Sequence, residues 1–104
     1  MANILKMMKQ ASSMKKEIGQ IQKDLAQQTV EHSSGGGKVT VIARGDMSIE
    51  SIKIDPLSID PSKAERLEEL IVSAVNGGLK SAKKKAARKM SEATGKLGLD
   101  GILG

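Results

Sequence analysis

Residues 29–54 read TVEHSSGGGKVTVIARGDMSIESIKI and contain three short stretches in which apolar and polar residues alternate. These stretches are separated by Gly35-Gly36-Gly37 and by Gly45-Asp46, which are typical of tight turns. Alternation that is rich in β-branched residues predicts strands. We therefore expect residues 29–54 to form a three-stranded antiparallel sheet built from two successive hairpins.

The third predicted strand has one irregularity in its alternation. Its apolar residues keep one register up to Ile49 and the other from Ile52 onward, a shift of one position at Glu50-Ser51. A one-residue slip turns every following side chain to the opposite face of a sheet. We therefore expect a β-bulge at this point, which would keep the apolar residues on the core face.

Residues 3–28 precede the sheet and carry the strongest periodicity in the chain. Apolar residues recur at alternating steps of three and four, which predicts a long helix with a heptad seam. The seam is a candidate contact with a second helix or a second copy of the chain. It consists of Ile4, Met7, Met14, Ile18, Ile21 and Leu25, with Ala11 between them, and a lysine stripe of Lys9, Lys16 and Lys23 lies on the opposite side.

Residues 61–94 follow the sheet and are expected to form a second amphipathic helix. Asp60 can cap its start, and Pro61 suits the first helical position. Gly77-Gly78 interrupts the pattern, and each Gly costs about 1 kcal/mol relative to Ala inside a helix, so we expect a close helix contact or a break there. Residues 95–104 are punctuated by Gly, and we expect a flexible tail.

The 104 residues predict a single domain, 1–104, of the α+β class. Its net charge of +5 is uneven: +3 in residues 1–28, −2 in 29–60, −1 in 61–79 and +5 in 80–104. A helix of about 25 residues is about 37 Å long, whereas six or seven residues of strand span only about 20 to 23 Å. The helices should therefore extend beyond a mildly acidic sheet as cationic arms.

The two arms should run antiparallel with their free ends together, which would place Lys6 and Lys9 beside the basic residues of the second helix. Such arms suit the phosphates of double-stranded DNA, bound with little sequence readout because only Arg88 could make a forked contact to a base. The candidate nucleic-acid-binding residues are Lys6, Lys9, Lys16, Lys23, Lys80, Lys83, Lys84, Lys85, Arg88 and Lys89.

Composition excludes several classes of function. The chain has no Cys and no aromatic residue, which rules out disulfides, thiolate zinc sites and platforms for base stacking. His32 is the only histidine, and no nucleophile, base and orienting acid can be assembled around it, so we expect a non-enzyme without metal, cofactor or small-molecule substrate. No apolar run is long enough to span a bilayer, and we expect a cytoplasmic protein.

The pattern resembles the YbaB/EbfC family of small bacterial nucleoid-associated proteins along nearly the whole chain. The resemblance implies a tweezer-like homodimer that binds double-stranded DNA in the nucleoid, with a role in nucleoid organisation and gene regulation. Gly77-Gly78 departs from the usual family pattern. The residues that carry the resemblance are the N-terminal heptad helix, Thr29-Val30-Glu31, Gly37-Lys38-Val39-Thr40-Val41, Gly45, Ile52-Lys53-Ile54-Asp55-Pro56, Leu67-Glu68-Glu69-Leu70-Ile71, Ala74 and Asn76.

Two other functions fit parts of the sequence. The Met-rich heptad seam could grip helices of other proteins, as in a chaperone-like adaptor. The basic second helix could contact an anionic membrane surface, although its apolar side is mostly Ala and lacks bulky anchors, so no membrane partner is expected.

Overall fold

The computed structural model describes residues 3–96 as a three-stranded antiparallel sheet flanked by two helices. The elements are α1 (Ile4–Gln27), β1 (Thr29–Ser34), β2 (Val39–Arg44), β3 (Ile49–Ile54) and α2 (Ala64–Lys96), with short 3₁₀ turns at Pro56–Ser58 and Pro61–Lys63. The predicted α+β class and order of elements are confirmed. Of the expected tail, residues 95 and 96 belong to α2, and 97–104 lie outside the described residues.

The sheet has the strand order β1-β2-β3, with each strand paired to its neighbour along the chain. The first turn uses Gly35, Gly36 and Gly37 at positive φ values of 61°, 67° and 96°, a region that glycine enters without steric cost. In the second hairpin Ile42 pairs with Ser51 and Ala43 with Ile49, which leaves Glu50 as the extra residue. The predicted β-bulge is therefore confirmed.

The core lies between the sheet and α2. Val39, Val41 and Ala43 alternate along β2 and have no exposed surface, while α2 packs across β1 and β2 and buries Ala74 against them. Apolar residues of β3 and α2 complete this core around its rim. They are Ile49, Ile54, Leu67, Leu70, Ile71 and Val75.

Helix α2 runs antiparallel to β1, as three contacts along its length show. The Ser34 hydroxyl donates to the Leu70 carbonyl at 2.6 Å, Gly77 lies against the His32 ring, and Lys85 Nζ donates to the Thr29 carbonyl at 2.9 Å. Helix α2 is continuous from Ala64 to Lys96 and so is not broken at Gly77-Gly78, where the sequence allowed either a break or a close contact. Both glycines instead let the helix approach the sheet closely, the alternative that the sequence also allowed.

The described chain is a rod of 77 × 20 × 16 Å, with a radius of gyration of 20.2 Å where a compact domain of 100 residues has about 13 Å. Lys85 contacts Thr29 and so lies level with the start of β1. From this level α2 continues for about 16 Å to Lys96, whereas α1 extends for about 35 Å to Ile4. The outer half of α1 therefore projects past Lys96. By helix length, Lys6 lies about 25 Å further along the axis than Lys89, and the expected meeting of Lys6 and Lys9 with the α2 cations stays a prediction that these lengths do not favour.

Candidate nucleic-acid interface

The lysine stripe of α1 faces solvent. Lys9, Lys16 and Lys23 are all exposed, and so is Lys6 near the outer end. Their spacing of seven residues is close to two helical turns, which keeps the three stripe lysines on one side of the helix. Lys15 is also exposed on α1; it lies outside both the seam and the stripe, and the heptad pattern therefore did not mark it as a candidate.

The structure separates the six candidate cations of α2 into two groups. Lys80, Lys84 and Arg88 are spaced by four residues, which aligns them in one row along the helix, and all three are exposed together with Lys83. Within residues 3–96 none of these four makes an ion pair. The row, which we call the α2 row, spans about 12 Å.

Lys85 and Lys89 form the second group and are half-buried on the inner side of α2. The Lys85 ammonium is held by the Thr29 carbonyl at 2.9 Å, which ties α2 to the beginning of β1. Lys89 lies 3.9 Å from Glu92 on the next turn of the helix. These two lysines contribute to the total charge, but their positions suit intramolecular contacts.

The heptad seam of α1 is divided into an inner and an outer half. Toward the sheet, Leu25 is buried and Met14, Ile18 and Ile21 are half-buried where α1 packs with α2. At the outer end Ile4 and Met7 are 64% and 62% exposed. A single seam in the sequence thus serves as an intramolecular contact over one half and remains uncovered over the other.

Carboxylates near the turns have structural roles. Ser62 donates to Asp60 from its hydroxyl at 2.7 Å and from its backbone N–H at 3.0 Å, and these bonds hold the pKa of Asp60 below its ordinary value of 3.8. Ser48 lowers the pKa of Asp46 in the same way.

Among residues 3–96 no group of His, Asp and Glu is arranged to hold a metal ion. None of the helices in this region is long and apolar enough to cross a bilayer.

Comparison with known proteins agrees with this arrangement of helices and sheet. The sequence model of the YbaB/EbfC DNA-binding family matches residues 1–97. The chain belongs to the YbaB/EbfC family. A nucleoid-associated protein of Moorella thermoacetica is 42% identical over 102 residues, which cover 98% of each chain, and one of Pelotomaculum thermopropionicum is 40% identical over 100 residues, 96% of this chain and 95% of the other.

A solved structure is similar to this YbaB/EbfC chain as well. It is the crystal structure of the uncharacterized protein HP0035 from Helicobacter pylori, which aligns with a TM-score of 0.59 at 26% identity. The match covers 75% of this chain and 90% of the other. The fold is therefore shared with this solved structure at modest sequence identity.

Proposed function

We propose that this protein is a nucleoid-associated protein of the cytoplasm that binds double-stranded DNA as a homodimer, with little sequence specificity. The observation that carries the proposal is the α2 row: Lys80, Lys84 and Arg88 line one side of a helix and make no ion pair within residues 3–96. Membership of a DNA-binding family and relatives named nucleoid-associated proteins support it. A role in nucleoid organisation and gene regulation would follow from such binding.

Phosphate contact explains both the affinity and the low specificity. A DNA strand places one phosphate about every 3.4 Å along the helix axis, so a row of about 12 Å can follow three or four of them. Lysine ammonium groups neutralise phosphates as point charges, and each contact releases counterions. In the α2 row only Arg88 has the forked geometry that reads a guanine edge.

A matched pair of variants tests the α2 row. We expect the triple variant K80Q/K84Q/R88Q to bind a short duplex much more weakly at moderate salt, measured by fluorescence anisotropy. The control K85Q/K89Q removes charge from the inner side of the same helix, and we expect it to bind almost as well as the wild type. Losses in proportion to the charge removed, three in the triple variant and two in the control, would show that only total charge matters, and full affinity in the triple variant would remove the α2 row from the interface.

The homodimer is supported by an uncovered apolar surface on β3. Ile52 pairs with the fully buried Val41, yet it is 45% exposed because α2 packs across β1 and β2. The half-buried Ile49 and Ile54 lie on the same strand. A second copy could cover this surface and the free edge of β3 at once.

The oligomeric state can be measured by light scattering at micromolar concentration. We expect a dimer for the wild type and a monomer for Ile52→Lys, because the substitution places a charge in the proposed contact. Lys53→Glu, which changes an exposed neighbour on the same strand, serves as the control and should leave the mass unchanged. A monomeric wild type would contradict the proposal.

A second candidate function is a protein-interaction or chaperone-like adaptor. It is favoured by the exposed outer seam, where Ile4 and Met7 present an apolar surface at helical spacing. Retention of a protein that resists high salt and is lost in I4Q/M7Q, without retention of DNA, would support the adaptor over the DNA-binding protein.

A further inference from the structure

The outer end of α1 carries more exposed apolar surface than its seam requires. Leu5 is 75% exposed and Met8 is 63% exposed, in addition to Ile4 and Met7 of the seam. Since this part of α1 projects past Lys96, the described residues of α2 do not reach it. Large apolar side chains in such a position, close to cations, are typical of a contact surface.

Leu5 and Met8 lie away from the seam. At about 100° per residue, Leu5 is about 130° around the helix from the middle of Ile4 and Met7, and Met8 is about 70° from it. Leu5 therefore stands one turn before Lys9, at the end of the lysine stripe. A helix that packed on the seam would leave Leu5 uncovered.

The surroundings of this pair match a partner that is both anionic and able to accept apolar groups. Lys9 and Lys6 lie beside Leu5 around the helix, on the side away from Met8, and Lys16 continues the line of Lys9. A DNA groove offers phosphates at its rims and base steps at its floor. Leu and Met are among the residues that proteins insert between base steps, which partly unstacks the steps and bends the duplex.

We propose that Leu5 and Met8 form an apolar wedge that enters a groove of DNA and bends it, while Lys6 and Lys9 hold the flanking phosphates. This inference rests on the proposed DNA binding and adds a deformation of the duplex to it. The outer end of α1 is suited to this role because it projects free of the sheet. Flexible steps such as TA unstack most easily, so duplexes that contain them are bent at the lowest cost.

The test uses the full chain and a duplex labelled at both ends, in which energy transfer reports the bend. The wedge variant is L5Q/M8Q. The control is I4Q/M7Q, which alters two residues of nearly equal exposure on the same turns, centred about 100° around the helix from Leu5 and Met8. We expect the wild type and the control to bend the duplex. The wedge variant should bind with the same salt dependence, because its lysines remain, but the bend should be lost.

Each other outcome overturns the wedge. If the wild type binds DNA without bending it, or if both variants lose the bend equally, the wedge is wrong and the proposed DNA binding stands. If the wild type does not bind DNA at all, the proposed function itself fails. Sedimentation with vesicles of anionic lipid provides the last comparison: binding to vesicles that depends on Leu5 and Met8, with the DNA bend unchanged in L5Q/M8Q, would assign the pair to a membrane surface.

Discussion

The ring of His32 in β1 lies so close to Gly77 in α2 that a Cβ atom at position 77 would overlap its Nε2, Cδ2 and Cε1 atoms. The only histidine of the chain thus occupies the space that a side chain would fill in the helix. This contact explains why a residue unfavourable to helices stands in the middle of α2.

We predict that Gly77→Ala lowers the free energy of unfolding by about 1 kcal/mol. Overpacking against the His32 ring costs about 1 to 3 kcal/mol, and the better helix propensity of Ala returns about 1 kcal/mol of it. Urea unfolding followed by circular dichroism measures the difference, at one fixed protein concentration because self-association would add to the stability.

The sign of the effect should reverse when His32 is replaced. In a His32→Ala background the space at position 77 is open, so Gly77→Ala should stabilise the protein by about 1 kcal/mol. A double-mutant cycle measures the coupling between the two sites. Additive effects would show that the contact between ring and glycine carries no energy.

Gly45 is predicted to be the glycine least able to accept a side chain. A Cβ atom there would overlap the carbonyl of Leu25, which is backbone and cannot turn away as a side chain could. We expect Gly45→Ala to destabilise the protein by at least about 1 to 3 kcal/mol. Gly19→Ala is the control: no described atom lies within 4 Å of its added Cβ, so thermal unfolding should show a gain instead, of about 1 kcal/mol.

The lysine stripe of α1 is predicted to set part of the salt dependence of DNA binding. Each phosphate contact contributes about 0.9 to the slope of log K against log salt, so K9Q/K16Q/K23Q should reduce the slope by up to about 2.7. The control K38Q/K53Q/K63Q removes the same charge from exposed lysines of the sheet region and should change the slope little. Anisotropy titrations at several salt concentrations measure both, and equal slopes in the two variants would contradict a defined interface on α1.

Asp60 should make the stability depend on pH only in the acid range. Its pKa in the folded protein is below the ordinary value of 3.8 because of its bonds with Ser62. A depressed pKa stabilises the fold above the pKa of the unfolded state, and this contribution is lost as the pH falls through the folded value. Asp60→Ala should therefore lower Tm at neutral pH, and the difference from the wild type should shrink in acid. A difference that is constant across the titration would assign the effect to capping geometry alone.

Local chemistry made the sheet predictable. The turn glycines are needed for positive φ values, and the break in alternation at Glu50 had one solution that kept Ile49 and Ile52 on the same face. The start of α2 was less regular than expected, because Pro61 and the Asp60 bonds produce a 3₁₀ turn at residues 61–63 before the α-helix begins.

Long-range placement was not predictable from the residues. Lys85 and Lys84 have the same chemistry in the sequence, but only the position of α2 over β1 brings Lys85 to the Thr29 carbonyl and leaves Lys84 in solvent. The relative reach of the two arms depends on where α2 crosses the sheet, which no local pattern encodes. The pairing of His32 with Gly77 requires the same information.

Because the outer half of α1 extends beyond α2, the local stability of α1 varies along its length. Near Leu25, α1 is stabilised by burial against the rest of the protein, whereas around Ile4 it is stabilised mainly by its own backbone hydrogen bonds. Helical segments shorter than about 12 to 15 residues are marginal in water on their own. Amide hydrogen exchange should consequently be fastest at the outer turns and slow progressively toward the sheet. A ligand that binds the outer turns of α1 would slow this exchange. Part of its binding free energy would be used to order these turns.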